Sequence, residues 1–315
     1  MSSLIETAHW IACARAAESL RPDGRLFEDP LAVEFVRRTD PDLYDRLRTE
    51  PSSRFDVLAV RTAFFDDRLI RAVTGGPARQ VVVLAAGMDG RAFRLPWPPG
   101  VTLYEVDLPE GVEEKSAFLS RSGLVADRCH RVPVAADLTG DWPAALAEAG
   151  FRPGLPTVWL VEGVLYYLTE EQVDAVVDRV TELSAAGSVL CLEQVNTDLY
   201  RAPWMRDWLR QMRDAGRPWR SGVAEPEAWL AGRGWRAEVR EPCDLDEAAG
   251  RVVPRTPPRG TPGAARTWLV AAELATGPAV PDSVPDFVPE SASASASASA
   301  SASASASASA SPTAA

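Results

Sequence analysis

Histidine is close to absent from this chain. Of 315 residues only His9 and His130 carry an imidazole, so few side chains change protonation near neutral pH. His130 begins a β-rich run and reads as structural, which leaves His9 as the one candidate base. Cysteine is sparse as well. Cys13, Cys129, Cys191 and Cys243 lie far apart and no CxxC or Cys/His pairing has zinc spacing, so they read as free thiols in a reducing cytoplasm, with no metal site. Positive charge is in deficit: 33 Lys plus Arg face 44 Asp plus Glu, a formal charge of -11. That balance argues against nucleic acid as a main partner and against anionic membrane surfaces. The opening MSSLIETAHWIACARAAE has neither a basic n-region nor a long apolar core, so no signal peptide or membrane span is expected there. The dinucleotide fingerprint GxGxxG is also missing, because Ala85, Gly87 and Gly90 occupy its spacing with alanine first.

What is present reads as globular. Hydrophobic residues make up 46% and charged residues 24% of the chain, close to the average of folded domains. One α/β domain over 1–275 is simpler than two small ones. From residue 276 the chain passes through GPAVPDSVPDFVPE into a Ser-Ala alternation. Such small side chains bury too little apolar area to offset the entropy of ordering, so 276–315 is expected to be a disordered tail.

Within 1–275, apolar β-rich runs alternate with helical patterns. QVVVLAA, TLYEVDL, HRVPVAAD, TVWLVEGV and SVLCLEQV are strand candidates, separated by segments such as EEKSAFLSRSG and PAALAEAG. Several runs are apolar almost throughout, as parallel strands covered on both faces must be. The clearest helix follows Thr169, where Thr169 and Gln172 form a capping box and Val173, Val176, Val177, Val180 and Leu183 fall at helical spacing; Gly187 is expected to end it. RAEVREP and RTWLVAAEL read as a last, antiparallel pair. The stretch before residue 79 is mostly helical, with breaks at RPDGRLFEDP and TDPDLYD.

The chemistry gathers at strand ends. In AAGMDGRAFRLP, Gly87 and Gly90 permit backbone to approach a ligand, though any turn uses glycine. Asp107 ends the next strand about twenty residues on, where a carboxylate accepts the ribose hydroxyls of a nucleoside or, alternatively, caps the following helix. A third strand ends at Asp137, placed to meet an adenine amino group while the Leu138 N–H meets a ring nitrogen.

Six segments in order, ARAAESLRPDGRLFEDPLA, AVRTAFFDDRL, VVVLAAGMDGRAFRL, YEVDLPEG, AADLTGDWP and VEGVLYYLTEEQV, resemble the bacterial S-adenosylmethionine-dependent methyltransferases related to leucine carboxyl methyltransferases. The resemblance covers roughly residues 5–275. It implies a class I methyltransferase fold, a Rossmann-like sheet that is mostly parallel with an antiparallel last strand, and a helical N-terminal lid. It further implies S-adenosyl-L-methionine as cofactor, Asp107 as ribose ligand, Asp137 and Leu138 as adenine contacts, and Gly87 beside the methionine moiety. Arg61 would pair with the cofactor carboxylate, Glu162 would hold its amino group beside an open Gly163, and Arg15 would contribute from the lid. Ala85 departs from the pattern, standing where many such enzymes have the first glycine of the loop.

Methyl transfer from a sulfonium is an in-line displacement governed by positioning. A carboxylate acceptor is already ionised at neutral pH and needs no base; a hydroxyl acceptor would turn to His9, although a surface histidine is the plainer reading. Tyr166 and Tyr167 follow the fourth strand, at the rim where a small-molecule acceptor docks, and the Trp-rich stretch 204–212 is a candidate lid. Two other readings stay open: a nicotinamide-dependent oxidoreductase, weakened by the incomplete fingerprint and the lack of a Tyr-x-x-x-Lys pair, and a catalytically silent nucleoside-binding protein. Acceptor identity and oligomeric state are not legible.

Overall fold

The computed structural model describes residues 3–49 and 53–274; the expected tail at 276–315 lies outside the described residues. Four helices come first: α1 (Ser3–Ser19), α2 (Pro30–Thr39), α3 (Pro41–Thr49) and α4 (Asp56–Gly75). The side chain of Asp29 caps α2 by accepting the Ala32 N–H at 3.0 Å, and Pro30 at the first position has no N–H to satisfy. The break expected at TDPDLYD is a single residue, Asp40, because Pro41 suits the first turn of α3.

Strands and helices then alternate: β1 (Gln80–Leu84), α5 (Arg91–Arg94), β2 (Thr102–Asp107), α6 (Pro109–Ser122), β3 (His130–Ala135), α7 (Trp142–Glu148), β4 (Thr157–Val161), α8 (Glu170–Glu182) and β5 (Val189–Val195). After α9 (Arg206–Asp214) and α10 (Pro226–Ala231) come β6 (Trp235–Arg240) and β7 (Thr267–Leu274). The seven strands lie in the order β3-β2-β1-β4-β5-β7-β6, with β1 to β5 mutually parallel and β7 antiparallel to both its neighbours. This is the α/β class I methyltransferase fold. Connections run outward in opposite directions from β1 and β4, so a switch point opens between the carboxyl ends of these two strands.

Every residue of β1 and β4 is buried, as the apolar runs required. Their alternation feeds two cores: Val82 and Leu84 join Trp142, Trp159 and the valines of α8 on one face, while Val81 and Val83 join Phe64, Phe65 and Leu69 of α4 on the other. Each such side chain contributes roughly 1.5–3 kcal/mol by leaving water. β3 departs from the both-faces-buried pattern. It is an edge strand with only Val134 fully buried, and Pro133, which has no N–H for a second neighbour, is tolerated there.

In α8 both halves of the capping box form, Gln172 N–H to Thr169 Oγ1 at 3.3 Å and Thr169 N–H to Gln172 Oε1 at 2.9 Å. The helix stops earlier than expected. It ends at Glu182 with Leu183 as its cap, while Gly187, at φ 82°, donates its N–H to Leu274 and shapes the turn into β5.

Candidate functional site

The parallel register brings Leu84, Val106, Val134 and Val161 to one level, so the loops after β1, β2, β3 and β4 open together. Between them and α1 lies a cavity of about 400 Å³. Its floor is the loop after β1, where Ala85 at φ 53° and Gly87 at φ 47° both take the left-handed conformation. A Cβ on Gly87 would stand 3.0 Å from the Cβ of Ala8 on α1, so the absence of a side chain lets backbone face the cavity beneath the helix.

Asp107, at the end of β2, accepts the Gly87 N–H and, at 2.7 Å, the Leu108 N–H. It does not cap α6, whose N-cap is Leu108 and which has no side-chain cap; the helix-cap reading of this acid falls. Burial pushes the Asp107 carboxyl above the usual aspartate range, outweighing the two N–H donors and Lys115. Asp137 and Leu138 line the same cavity. Asp137 is exposed and accepts the Thr139 N–H and hydroxyl, each at 2.8 Å, so it also braces its own turn.

Beside the end of β4 lies a buried charge network. Arg61 on α4 places Nε 2.8 Å from Glu162 Oε1 and Nη1 2.8 Å from Glu193 Oε2. Arg91 places Nη1 2.8 Å from Glu162 Oε2 and Nε 2.8 Å from Asp66. Burial pushes Glu162 up, but the charges of Arg91, Arg61 and Arg15 outweigh it and hold its pKa at about 2. Burial instead prevails at Glu193, which is raised despite Arg61. The approaches to Glu162 lack hydrogen-bond alignment, so neither of its oxygens has a hydrogen-bond donor among the described residues. Arg15, from α1, is held more loosely, 3.3 Å from the Met88 carbonyl, 3.5 Å from Asp89 and 3.8 Å from Glu162, and its Nε has no hydrogen-bond partner. Beneath them, Lys115 of α6, 2% exposed, donates to the Asp89 carbonyl at 2.7 Å and pairs with Glu105 at 2.8 Å.

Arg15, Arg61, Ala85, Gly87, Asp107, Asp137, Leu138, Glu162 and Tyr167 thus line one cavity. Two candidates do not. Tyr166 is buried against Trp219, with ring centroids 4.1 Å apart, and lies outside the lining. His9 turns from the cavity to Glu114, 2.8 Å from Nε2, and packs on Phe35; a partner 105 residues away left no local signal. The Trp-rich stretch is not the wall either. Trp208 packs on Trp10, Trp204 is 67% exposed, and the cavity is bounded instead by Gly216, Arg217, Pro218 and Arg220. Sequence reasoning missed those residues, together with Asp89, Arg91, Lys115 and Glu193. Asp89 and Arg91 sit inside the quoted segment AAGMDGRAFRLP, but only the fold brings Arg91 to Asp66 and Glu162, Lys115 to Glu105 and Glu193 to Arg61. Among the described residues, no three His, Cys, Asp or Glu side chains are grouped to hold a metal, and no helix is long and apolar enough to cross a membrane.

The leucine carboxyl methyltransferase family model matches residues 8–181. A protein of Parafrankia sp. (strain EAN1pec), named for S-adenosyl-L-methionine-dependent methyl transfer, is 48% identical over 194 residues, 59% of this chain and 62% of that protein. A protein of Rhodococcus jostii (strain RHA1) named in the same way is 39% identical over 274 residues, 82% of this chain and 91% of that one. The fold is similar to the crystal structure of a DUF574 family protein from Streptomyces avermitilis, with a TM-score of 0.50, 14% identity and coverage of 82% of this chain and 96% of that one.

Proposed function

The chain belongs to the leucine carboxyl methyltransferase family and takes its methyl group from S-adenosyl-L-methionine; on that premise we propose that it methylates an oxygen, carboxylate or hydroxyl, of a small molecule. The nicotinamide reading is thereby set aside. When bound, the cofactor supplies a methyl group on a sulfonium, whose sulfur keeps the bonding pair as the acceptor oxygen takes the methyl.

The residues present fit that cofactor. Glu162 lines the cavity with each oxygen ion-paired to an arginine at 2.8 Å but outside hydrogen-bond alignment, so its lone pairs suit an ammonium group, and the Nε of the more loosely held Arg15 has no hydrogen-bond partner, which suits a carboxylate. Arg61 already spends two nitrogens on Glu162 and Glu193. It therefore fixes Glu162 as well as adding positive charge, and Arg15 takes the larger part of the carboxylate. Asp107 receives the ribose hydroxyls, Asp137 and the Leu138 N–H receive adenine, and the loop from Ala85 to Gly87 lies along the methionine chain. The observation that carries the reading is the common cavity of Asp107, Gly87 and Glu162: acceptors for a sugar and for an ammonium group, with bare backbone between them.

Oxygen is favoured as nucleophile because no histidine lines the cavity, so an acceptor that needs no base suits it best. Burial also raises the Tyr167 phenol above its ordinary value, so it stays protonated at neutral pH and does not serve as a base. The test is incubation with S-adenosyl-L-methionine and a panel of aromatic and aliphatic acids and phenols, read by mass spectrometry, with mild alkali separating methyl esters from methyl ethers. Cofactor binding without turnover on any acid or phenol would favour a catalytically silent nucleoside-binding protein. Residues 1–275 are proposed as the catalytic unit, with a cytoplasmic setting and a role in secondary metabolism.

A further inference from the structure

A second cleft, of about 410 Å³, opens along α9 outside the cofactor cavity, and its size is that of a small-molecule site. Pro218 is the one residue that lines both. Arg201, Arg206, Arg210 and Arg213 line the cleft with Tyr200 and Trp219, and no Asp or Glu is among its lining residues. In a chain of charge -11, four arginines around one concavity run against the overall balance. Residues 206, 210 and 213 share one face of α9 by their spacing, while Met212 is buried and Trp208 packs on Trp10. Two of the four charges are partly met: Arg210 pairs with Asp207 at 2.5 Å and Arg201 with Asp198 at 3.6 Å, and both arginines are exposed, so these pairs are weak. Arg206 and Arg213 are exposed as well, and among the described residues neither side chain has a hydrogen bond, ion pair or ring contact. The aromatic side of the cleft is fixed in advance. Tyr200 donates its hydroxyl to the Ser221 carbonyl, and Trp219 stacks on Tyr166 with ring centroids 4.1 Å apart.

We infer that this cleft is a second ligand site, and that it takes a small molecule with a diphosphate group and a planar body. The helix sets Arg206 and Arg213 about 10 Å apart along its axis with Arg210 between them. A single carboxylate is satisfied by one guanidinium fork and leaves the rest of that row unused, whereas linked phosphates offer several charged oxygens in sequence and can recruit Arg210 from its exposed pair. The planar body is read from Tyr200 and Trp219, two held rings in the same lining. Concavity selects a small molecule over a broad acidic protein surface.

The full chain, in excess S-adenosylhomocysteine so that the first cavity is filled, is titrated by calorimetry with uridine diphosphate, uridine and pyrophosphate. Uridine diphosphate is expected to bind roughly tenfold or more tightly than uridine, the scale of one charge-assisted hydrogen bond, and more tightly than pyrophosphate. Arg206→Gln combined with Arg213→Gln is expected to remove the advantage over uridine with the thermal midpoint unchanged, because both side chains are exposed and without partners. Arg37→Gln combined with Arg71→Gln, which changes net charge equally at exposed positions elsewhere, is expected to keep it. The site is overturned if uridine diphosphate binds no better than uridine or than pyrophosphate, if its advantage survives the loss of Arg206 and Arg213, or if the control pair lowers it as much. Binding of a pentaglutamate peptide without any preference for uridine diphosphate over uridine would make the arginine row a face for an acidic protein, and would overturn it too.

Discussion

Gly87 donates its backbone N–H to the carboxylate of Asp107, twenty residues further along the chain, so the loop after β1 and the end of β2 are joined where the cavity opens. Asp107→Ala removes this acceptor together with the proposed ribose ligand. Affinity for S-adenosylhomocysteine is expected to fall about 100-fold, the scale of losing two hydrogen bonds to a charged group. Asp107→Asn, which keeps one acceptor oxygen, should lose less. Calorimetry of both variants checks this, and a wild-type affinity in Asp107→Ala would contradict the ribose assignment.

Burial raises the Asp107 pKa above the ordinary aspartate value, whereas ribose hydroxyls donating to it favour the ionised form. Cofactor binding should therefore release a proton when the pH lies near that raised value, and affinity should decline as the pH falls through it. At pH 8, where the carboxylate is ionised with or without ligand, release from this group should vanish. Calorimetric enthalpies in buffers of different ionisation heat measure the proton count. Uptake of protons on binding in mild acid would have the wrong sign.

Glu162 behaves oppositely, because its folded pKa, about 2, lies below the ordinary glutamate value. Its stabilising contribution is present above that ordinary value and is lost as the pH falls toward 2. Glu162→Gln, which leaves Arg61 and Arg91 short of a buried counter-charge, should cost about 3 kcal/mol at neutral pH. The cost should shrink progressively in acid. Urea denaturation at pH 7 and in the acid range tests the trend, and an equal loss at both would show that the charge is not what matters.

Two substitutions in the loop after β1 should act in opposite directions. Ala85 holds a left-handed φ of 53°, and Ala85→Gly relieves about 1 kcal/mol of strain or more while loosening the unfolded chain by slightly less, a net gain of about 0.5 kcal/mol. Gly87→Ala introduces strain of the same kind and sets a methyl 3.0 Å from Ala8. It should lower stability by about 1–2 kcal/mol and weaken cofactor binding by displacing α1. Thermal unfolding with and without S-adenosylhomocysteine distinguishes the two effects.

Much of the frame was legible because local pattern encodes it. The unbroken apolar runs at 81–84 and 158–161 became most of the central strands, and the Thr169–Gln172 pair started α8 as expected. The exposure of β3 was not legible because edge position depends on strand order, which the run HRVPVA does not contain. The acids at strand ends were legible because strand ends are. Their electrostatic setting was not: Arg61 meets Glu193 across 132 residues and Arg217 meets Thr7 across 210. Such pairings exist only once helices have packed on the sheet, and so they had no signature in the sequence.

Lys115 is the only lysine in the sequence, and it is enclosed between Glu105 and the Asp89 carbonyl. Every other basic side chain besides the two histidines is an arginine, which succinimidyl esters leave untouched. The native protein should consequently resist amine-directed tagging and cross-linking at side chains, and acylation of Lys115 would report on the opening of α6 from the sheet, making this one buried amine a chemical clock for local unfolding.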